Sequence, residues 1–154
     1  MIMLIKMTLE NKITEDIKKA MLNKDTLRLE VCRAIKSSIL LAKTEKGIID
    51  LKEEKELDIL HKLLKQRKEA EKIYITQSRL DLAQKEKNQA KIISTYLPEP
   101  YTQLELESII DDLMDDLAIS SKKEMGKLIA AVINKVRGRA DGKSISEIIK
   151  NKLV

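Results

Sequence analysis

The chain has 154 residues, of which 43% are hydrophobic and 36% charged, and its net charge is +5. Three Tyr, no Phe, no Trp, four Gly and two Pro are too few rings and turns for a β-sandwich, a β-barrel or a base-stacking RNA-recognition sheet. One Cys and one His exclude an internal disulfide and an ordinary structural zinc site. The composition predicts an all-α protein whose core is built from Leu and Ile.

Helical periodicity accounts for the first two thirds of the chain. Thr8 is a candidate N-cap of a first helix, and Asp25 or Thr26 of a second helix that Gly47 ends. Two further long helices are predicted over residues 53–75 and 80–96. These lengths indicate two helical hairpins.

The segment Leu97-Pro98-Glu99-Pro100 holds both prolines and marks a boundary, because proline disfavours helix in the residue before it. We therefore expect an N-terminal helical domain over residues 1–97 and a small three-helix tail domain over residues 98–154. Capping-box patterns predict where the three tail helices begin: Thr102 with Glu105, Ser121 with Glu124, and Ser144 with Glu147. Tyr96 and Tyr101 flank the boundary and are expected to pack between the two parts.

Residues 98–121 contain seven acids and no base, whereas residues 122–154 contain nine bases and three acids. This alternation indicates either an acidic helix packed beside basic ones or two surfaces with different partners. The acidic side chains show no EF-hand spacing, so a solvated helix face is favoured over a cation site. The six considered for a cation site, which leave out Glu99, are Glu105, Glu107, Asp111, Asp112, Asp115 and Asp116.

No phosphate-binding loop, dinucleotide fingerprint, nucleophile elbow or HExxH zinc motif is present. Cys32 and His61 could form a nucleophile pair, but Cys32 shares an apolar stripe with Leu29, Ile35 and Ile39 and is expected to be a buried core residue. His61 follows an apolar position on a lysine-rich helix and is expected at the surface or its rim. No catalytic residue, metal ligand or cofactor is predicted.

The run Lys65-Gln66-Arg67-Lys68 places three cations on one helical turn. It is either a solvated helix face or a docking patch for phosphates or for an acidic partner.

Gly126, beside the cation Lys127, lies within a predicted helix of the tail. A glycine there indicates close backbone packing, with Ala130 one turn further along the helix.

The densest basic segment is the turn between the last two predicted helices, with Lys135, Arg137, Arg139 and Lys143. Unpaired amides at the start of the last helix, together with these cations, would form an anion site. The alternative is a plain turn, in which Gly138 ends a helix and Asp141 bonds the turn amides.

The residues of this turn resemble the signature of the YqeY family, and the resemblance extends over roughly residues 7–153. Other segments share it: Asn23-Lys24-Asp25, Arg33-Ala34-Ile35-Lys36, Lys65-Gln66-Arg67-Lys68, Tyr96-Leu97-Pro98 and Glu124-Met125-Gly126-Lys127. Family members are similar in their tail to the C-terminal domain of the B subunit of glutamyl/aspartyl-tRNA amidotransferase. The resemblance implies long N-terminal helices and a compact tail domain associated with tRNA, without the ATP-binding domain or the amidase subunit.

We therefore expect a non-catalytic helical module that binds tRNA or another structured RNA. Lys127, Lys135, Arg137, Arg139 and Lys143 would contact phosphate, and Lys65, Arg67 and Lys68 would form a second surface. The alternatives are a protein-interaction adaptor and a subunit of a glutamine-dependent carbon–nitrogen ligase. DNA and membranes are not expected as partners.

No apolar run approaches the roughly 18 residues that a membrane span requires. The apolar residues 1–5 are too few for the core of a signal peptide, and residues 1–6 are expected to extend beyond the usual family start. The expected location is the cytoplasm.

Overall fold

The computed structural model describes residues 7–153, so the predicted extension over residues 1–6 lies outside the described residues. Every regular element within this range is helical, which confirms the all-α prediction. Contacts divide the chain into two compact units: Met1–Leu97, here the first unit, and Pro98–Val154, here the tail unit. The helices are α1 (Leu9–Leu22), α2 (Thr26–Lys46), α3 (Glu53–Thr76), α4 (Leu80–Ser94), α5 (Gln103–Asp116), a 3₁₀ turn (Lys122–Glu124), α6 (Met125–Val136) and α7 (Gly142–Lys152).

Local capping defines the helix ends of the first unit as the sequence predicts. The Thr8 side chain accepts a hydrogen bond from the backbone N–H of Asn11 at 3.2 Å, and Asp25 accepts one from the N–H of Arg28 at 3.1 Å. Gly47 ends α2 with a left-handed backbone at φ 61°, a conformation that costs little without a Cβ atom.

The first unit consists of two helical hairpins, α1 on α2 and α3 on α4, as the helix lengths indicated. Their apolar stripes meet in one aliphatic core, which also takes in Cys32. The fully buried members include Ile13, Val31, Cys32, Ile35, Ile39, Leu60 and Ile93.

The tail unit packs α5, α6 and α7 around a second aliphatic core. Leu and Ile suffice for both cores because their branched side chains interdigitate without rings. The buried residues of this core are Leu106, Ile110, Ile119, Leu128, Val132, Val136, Ile145, Ile148, Ile149 and Leu153.

One of the predicted capping boxes in the tail unit is observed. Thr102 accepts from the N–H of Glu105, and the Glu105 carboxylate accepts from the N–H of Thr102 at 2.9 Å. Ser121 instead caps the 3₁₀ turn, so α6 starts only at Met125. The predicted box that begins at Ser144 is wrong, because α7 starts at Gly142.

The predicted close packing at Gly126 is also wrong. Gly126 and Ala130 are both exposed, and apart from the chain neighbours and helix backbone of Gly126 no atom lies within 4 Å of the place that a Cβ atom would take there. Across residues 7–153, no helix has both the length and the apolar character needed to cross a membrane.

Candidate nucleic-acid interface

The turn between α6 and α7 is built on two successive left-handed residues. Arg137, which ends α6, has φ 45° and ψ 53°, and Gly138 has φ 82°. The Arg139 N–H then bonds the carbonyl oxygen of Val136 at 3.0 Å, closing the turn. This geometry leaves Arg137 at the surface, and it is unusual because a residue with a Cβ atom rarely adopts it.

The basic side chains on α6 and beside the turn are exposed: Lys127, Lys135, Arg137 and Lys143. None of them has a hydrogen bond or an ion pair with another residue in the described part of the chain. Their charges are therefore not neutralised locally, and they give this part of the tail unit a positive surface.

Arg139, in contrast, is half-buried and holds the turn together. Its Nε–H donates to the carbonyl oxygen of Glu99 at 2.9 Å, and its guanidinium lies 3.9 Å from the centre of the Tyr101 ring. The Arg139 carbonyl oxygen in turn accepts the N–H of Tyr101 at 2.8 Å. One donor and one face of this guanidinium are thus already used within the tail unit.

The start of α7 carries its own carboxylate. Asp141 is the N-cap, and its side chain accepts the N–H of Ser144 at 2.6 Å. Of the two alternatives for this turn, the one in which Asp141 bonds turn amides is therefore observed. The anion site expected at this helix start is not formed by unpaired amides alone, because a negative side chain already lies there.

The acidic residues of α5 form a largely solvated face. Asp111, Asp112, Asp115 and Asp116 are exposed, and Asp111 pairs with Lys152 at 2.7 Å. The residues that the structure describes contain no cluster of His, Cys, Asp and Glu arranged to hold a metal ion.

The three cations of the run Lys65-Gln66-Arg67-Lys68 do not all face solvent. Lys65 and Lys68 are exposed, whereas the Nε–H of Arg67 points inward and donates to Gln89 Oε1 at 2.8 Å. Arg67 also lies 3.7 Å from a carboxylate oxygen of Glu86, so its charge is balanced inside the hairpin.

Cys32 and His61 do not form a nucleophile pair. Cys32 is fully buried, its Sγ lies 3.3 Å from the Tyr96 hydroxyl oxygen, and burial raises the pKa of its thiol, which opposes thiolate formation. His61 is half-buried, and its Nε2 has no hydrogen-bond partner among the described residues. Desolvation lowers the pKa of this imidazole, against a smaller opposing effect of Asp58.

A polar cluster around Tyr96 was not predicted. The Tyr96 hydroxyl donates to the Asp16 carboxylate at 2.5 Å, and the Lys12 ammonium lies 5.3 Å from the centre of the ring. The two hydrogen-bonded residues are 80 positions apart in the chain, so no local pattern could have indicated the contact.

A cavity where α1, α2 and α3 meet is lined by polar and apolar side chains, including Glu10, Lys43 and Glu56. Its volume of about 20 Å³ has room for about one water molecule. Glu10 and Lys43 form an ion pair with each other at this place. The cavity is thus too small for a cofactor or a substrate.

Two yeast proteins named "Altered inheritance of mitochondria protein 41, mitochondrial" are similar to this chain. The one from Kluyveromyces lactis is 32% identical over 124 residues, covering 75% of this chain and 66% of that protein. The one from Lachancea thermotolerans is 26% identical over 144 residues, covering 92% of this chain and 77% of that protein. The chain thus spans just under two thirds of the length of the first relative.

These relatives contradict the expected cytoplasmic location. A third protein of the same name, from Vanderwaltozyma polyspora, is 32% identical over 108 residues, and all three carry a mitochondrial designation. The prediction depended on the lack of a signal core and a membrane span. Such features do not distinguish cytoplasmic proteins from proteins of the mitochondrial interior, which explains the error.

A shorter segment of the chain is similar to a subunit of an amidotransferase. The E subunit of the glutamyl-tRNA(Gln) amidotransferase from Saccharolobus solfataricus is 40% identical over 53 residues, which are 32% of this chain and 8% of that protein. The family described as YqeY-like protein matches residues 10–153, nearly the whole of the two units. The chain belongs to the YqeY-like protein family.

Proposed function

We propose that this chain is a non-catalytic module that binds structured RNA, with tRNA as the first candidate, through the α6–α7 side of its tail unit. The observation that carries the proposal is the set of exposed and unneutralised cations there: Lys127, Lys135, Arg137 and Lys143. Such cations bind phosphates with a gain from counterion release.

The choice of tRNA is supported by the local similarity to an amidotransferase component whose name specifies a tRNA substrate. That similarity covers 8% of the amidotransferase protein, so it supports a shared binding segment and not the reaction of the whole enzyme. The location of Cys32 in the core also disfavours a cysteine nucleophile in this chain.

Recognition would proceed through the sugar–phosphate backbone and the shape of the RNA. The chain has no Phe and no Trp on which bases could stack, and the Tyr101 ring is covered on one face by Arg139. Lysine and arginine contacts to phosphate position an RNA without reading its sequence.

The test is a titration of the full chain with an unmodified tRNA transcript at several salt concentrations. Contacts of the tail unit with about three phosphates predict that it contributes about −2 to −3 to the slope of log K against log salt. Replacing Lys135, Arg137 and Lys143 together by Gln should weaken binding about tenfold or more. The matched control replaces the exposed Lys18, Lys46 and Lys55 by Gln. A flat salt response, or equal binding by the two triple variants, would contradict the proposal.

A second candidate function is a protein adaptor that uses the exposed aspartates of α5. The observation that favours it is that Asp112, Asp115 and Asp116 are exposed and have no ion pair in the described part of the chain. A protein partner retained from nuclease-treated lysate, and lost on replacement of these aspartates by Asn, would favour the adaptor over the RNA module.

A further inference from the structure

The α3–α4 hairpin carries lysines on the side that faces away from α2. On α3 they are Lys65, Lys68 and Lys72, and on α4 they are Lys87 and Lys91; all are exposed. We call these side chains the lysine face.

The contacts of Arg67 with Glu86 and Gln89 fix how the two helices are aligned. Because the helices are antiparallel and rise about 1.5 Å per residue, Lys68 and Lys87 lie at nearly the same level, and Lys65 and Lys91 lie about a turn away. Successive residues turn by about 100°, so Lys68 and Lys87 project away from the inward-pointing pair Arg67 and Glu86, and to the same side of the hairpin.

The acids of the hairpin do little to neutralise this face. Glu86, the acid of α4 beyond its first turn, is held inward by Arg67. Lys65 has an exposed partner, Glu69, at 4.0 Å, a type of pair that contributes little in water. Glu71 is half-buried. The face therefore keeps a net positive charge.

The composition of the face favours a polyanion over a protein partner. Polar side chains lie beside the lysines of α4: Gln84 precedes Lys87, and Asn88 follows it. The exposed aliphatic residues Ile75 and Leu80 lie at the tip of the hairpin. Protein interfaces are depleted of lysine and enriched in aromatic residues, whereas clustered lysines on one face are typical of phosphate-binding surfaces.

We propose that the lysine face is a second RNA contact, in the first unit, which binds the sugar–phosphate backbone of structured RNA in its own right. From Lys65 to Lys72 it extends about 10 Å along α3, which matches about three phosphates of one strand of a duplex. Arg67 is not part of this contact, because its charge is balanced inside the hairpin. The inference rests on the proposed function, since both require that the chain binds RNA.

The experiment compares full-chain variants for binding of the unmodified tRNA transcript across a salt series. The lysine-face variant replaces Lys65, Lys68 and Lys87 by Gln, and the control variant replaces Lys18, Lys46 and Lys55, which are exposed elsewhere in the first unit. We expect the lysine-face variant to bind about tenfold more weakly and to lose about 2 to 3 units of salt slope, with the control near wild type. Equal helical circular dichroism and equal thermal midpoints establish that each variant folds.

A lysine-face variant that binds like the control, while the tail variant at Lys135, Arg137 and Lys143 is weakened, would overturn this inference and leave the proposed function standing. A wild-type chain that does not bind the transcript would overturn both. If the lysine-face residues are needed to bind poly-L-glutamate but not the transcript, the face recognises an acidic protein and the RNA assignment falls.

Discussion

The guanidinium of Arg139 lies over the ring of Tyr101, 3.9 Å from its centre, while its Nε–H bonds the carbonyl oxygen of Glu99. Two residues earlier, Arg137 extends from the same turn with no partner in the described part of the chain. The same side-chain type thus has two different roles in one turn. Arg139 stabilises the tail unit, and Arg137 remains available for a ligand.

Replacing Arg139 by Ala should lower the free energy of unfolding by about 1 to 2 kcal/mol, because a cation–π contact and a charge-assisted hydrogen bond are lost. Arg139→Lys should retain only part of this unfolding free energy, since an ammonium lacks the planar group that covers the Tyr101 ring. Urea unfolding gives the unfolding free energy of both variants. A double-mutant cycle of Arg139→Ala, Tyr101→Leu and the variant with both changes gives the interaction free energy of the two side chains. Additive effects would show that the two side chains do not interact.

Arg137→Gly should separate stability from RNA binding. Glycine adopts the left-handed backbone at this position without strain, so the variant should gain about 0.5 to 1 kcal/mol in unfolding free energy. The same change removes a cation and should weaken tRNA binding. Urea unfolding and the tRNA titration are measured on one preparation. A variant that is both less stable and weaker in binding would contradict the left-handed assignment.

The glycines at positions 126 and 47 should respond in opposite ways to alanine. Gly126→Ala should be neutral to stabilising, by up to about 1 kcal/mol, because alanine favours helix and the added Cβ atom would have no atom within 4 Å apart from its chain neighbours and its own helix backbone. Gly47→Ala should destabilise by about 1 kcal/mol, since its φ of 61° disfavours a side chain. Thermal unfolding compares the two. If Gly126→Ala destabilised the chain, that result would support the close backbone packing that the sequence had indicated at this position.

Tyr96→Phe should destabilise the first unit by about 1.5 to 3 kcal/mol, because it removes the donor that the Asp16 carboxylate accepts. The control is Tyr74→Phe, since Tyr74 has no hydrogen bond to another described residue through its side chain. That change should alter the free energy of unfolding by less than about 0.5 kcal/mol. Equal effects of the two substitutions in urea unfolding would count against the Tyr96–Asp16 hydrogen bond.

Alkaline pH should weaken the fold through Cys32 and Tyr96. Burial raises the pKa of the Cys32 thiol, and burial and the hydrogen bond to Asp16 raise the pKa of the Tyr96 hydroxyl. Both groups stay protonated in the folded chain at pH values where the unfolded chain ionises, above about 8.5 for Cys and about 10 for Tyr. The contribution of these two protonated groups to the free energy of unfolding is therefore complete below those pH values, and it is lost as the pH rises above them.

The measurement is urea unfolding of wild type and Cys32→Ala between about pH 7 and about pH 10. The unfolding free energy of the wild type should fall more steeply than that of the variant, which lacks the thiol. A thiol reagent should also label Cys32 only after unfolding, because its side chain is fully buried. Parallel pH profiles, or rapid labelling of the folded chain, would contradict the assignment.

The sequence determined the helices of this protein and most of their ends, because the signals for them are local. Apolar side chains recur at steps of three and four residues, and caps such as Thr8, Asp25 and Thr102 bond an amide within the next turn. The error at Ser144 arose because Asp141, three residues earlier, is an equally good cap and bonds the amide of Ser144 itself. Local rules do not choose between two acceptors so close together.

The role of each cation was decided only by the tertiary structure. Arg67 and Lys68 are neighbours of equal charge, yet Arg67 meets Gln89, 22 positions away, while Lys68 faces water. Arg139 likewise bonds Glu99, 40 positions away, and Arg137 does not. A helix turns neighbouring residues about 100° apart, so which of them meets a partner depends on where the rest of the chain packs. The sequence thus predicted a basic chain that binds RNA, and the fold decided which of its cations remain exposed. RNA binding itself stays a proposal.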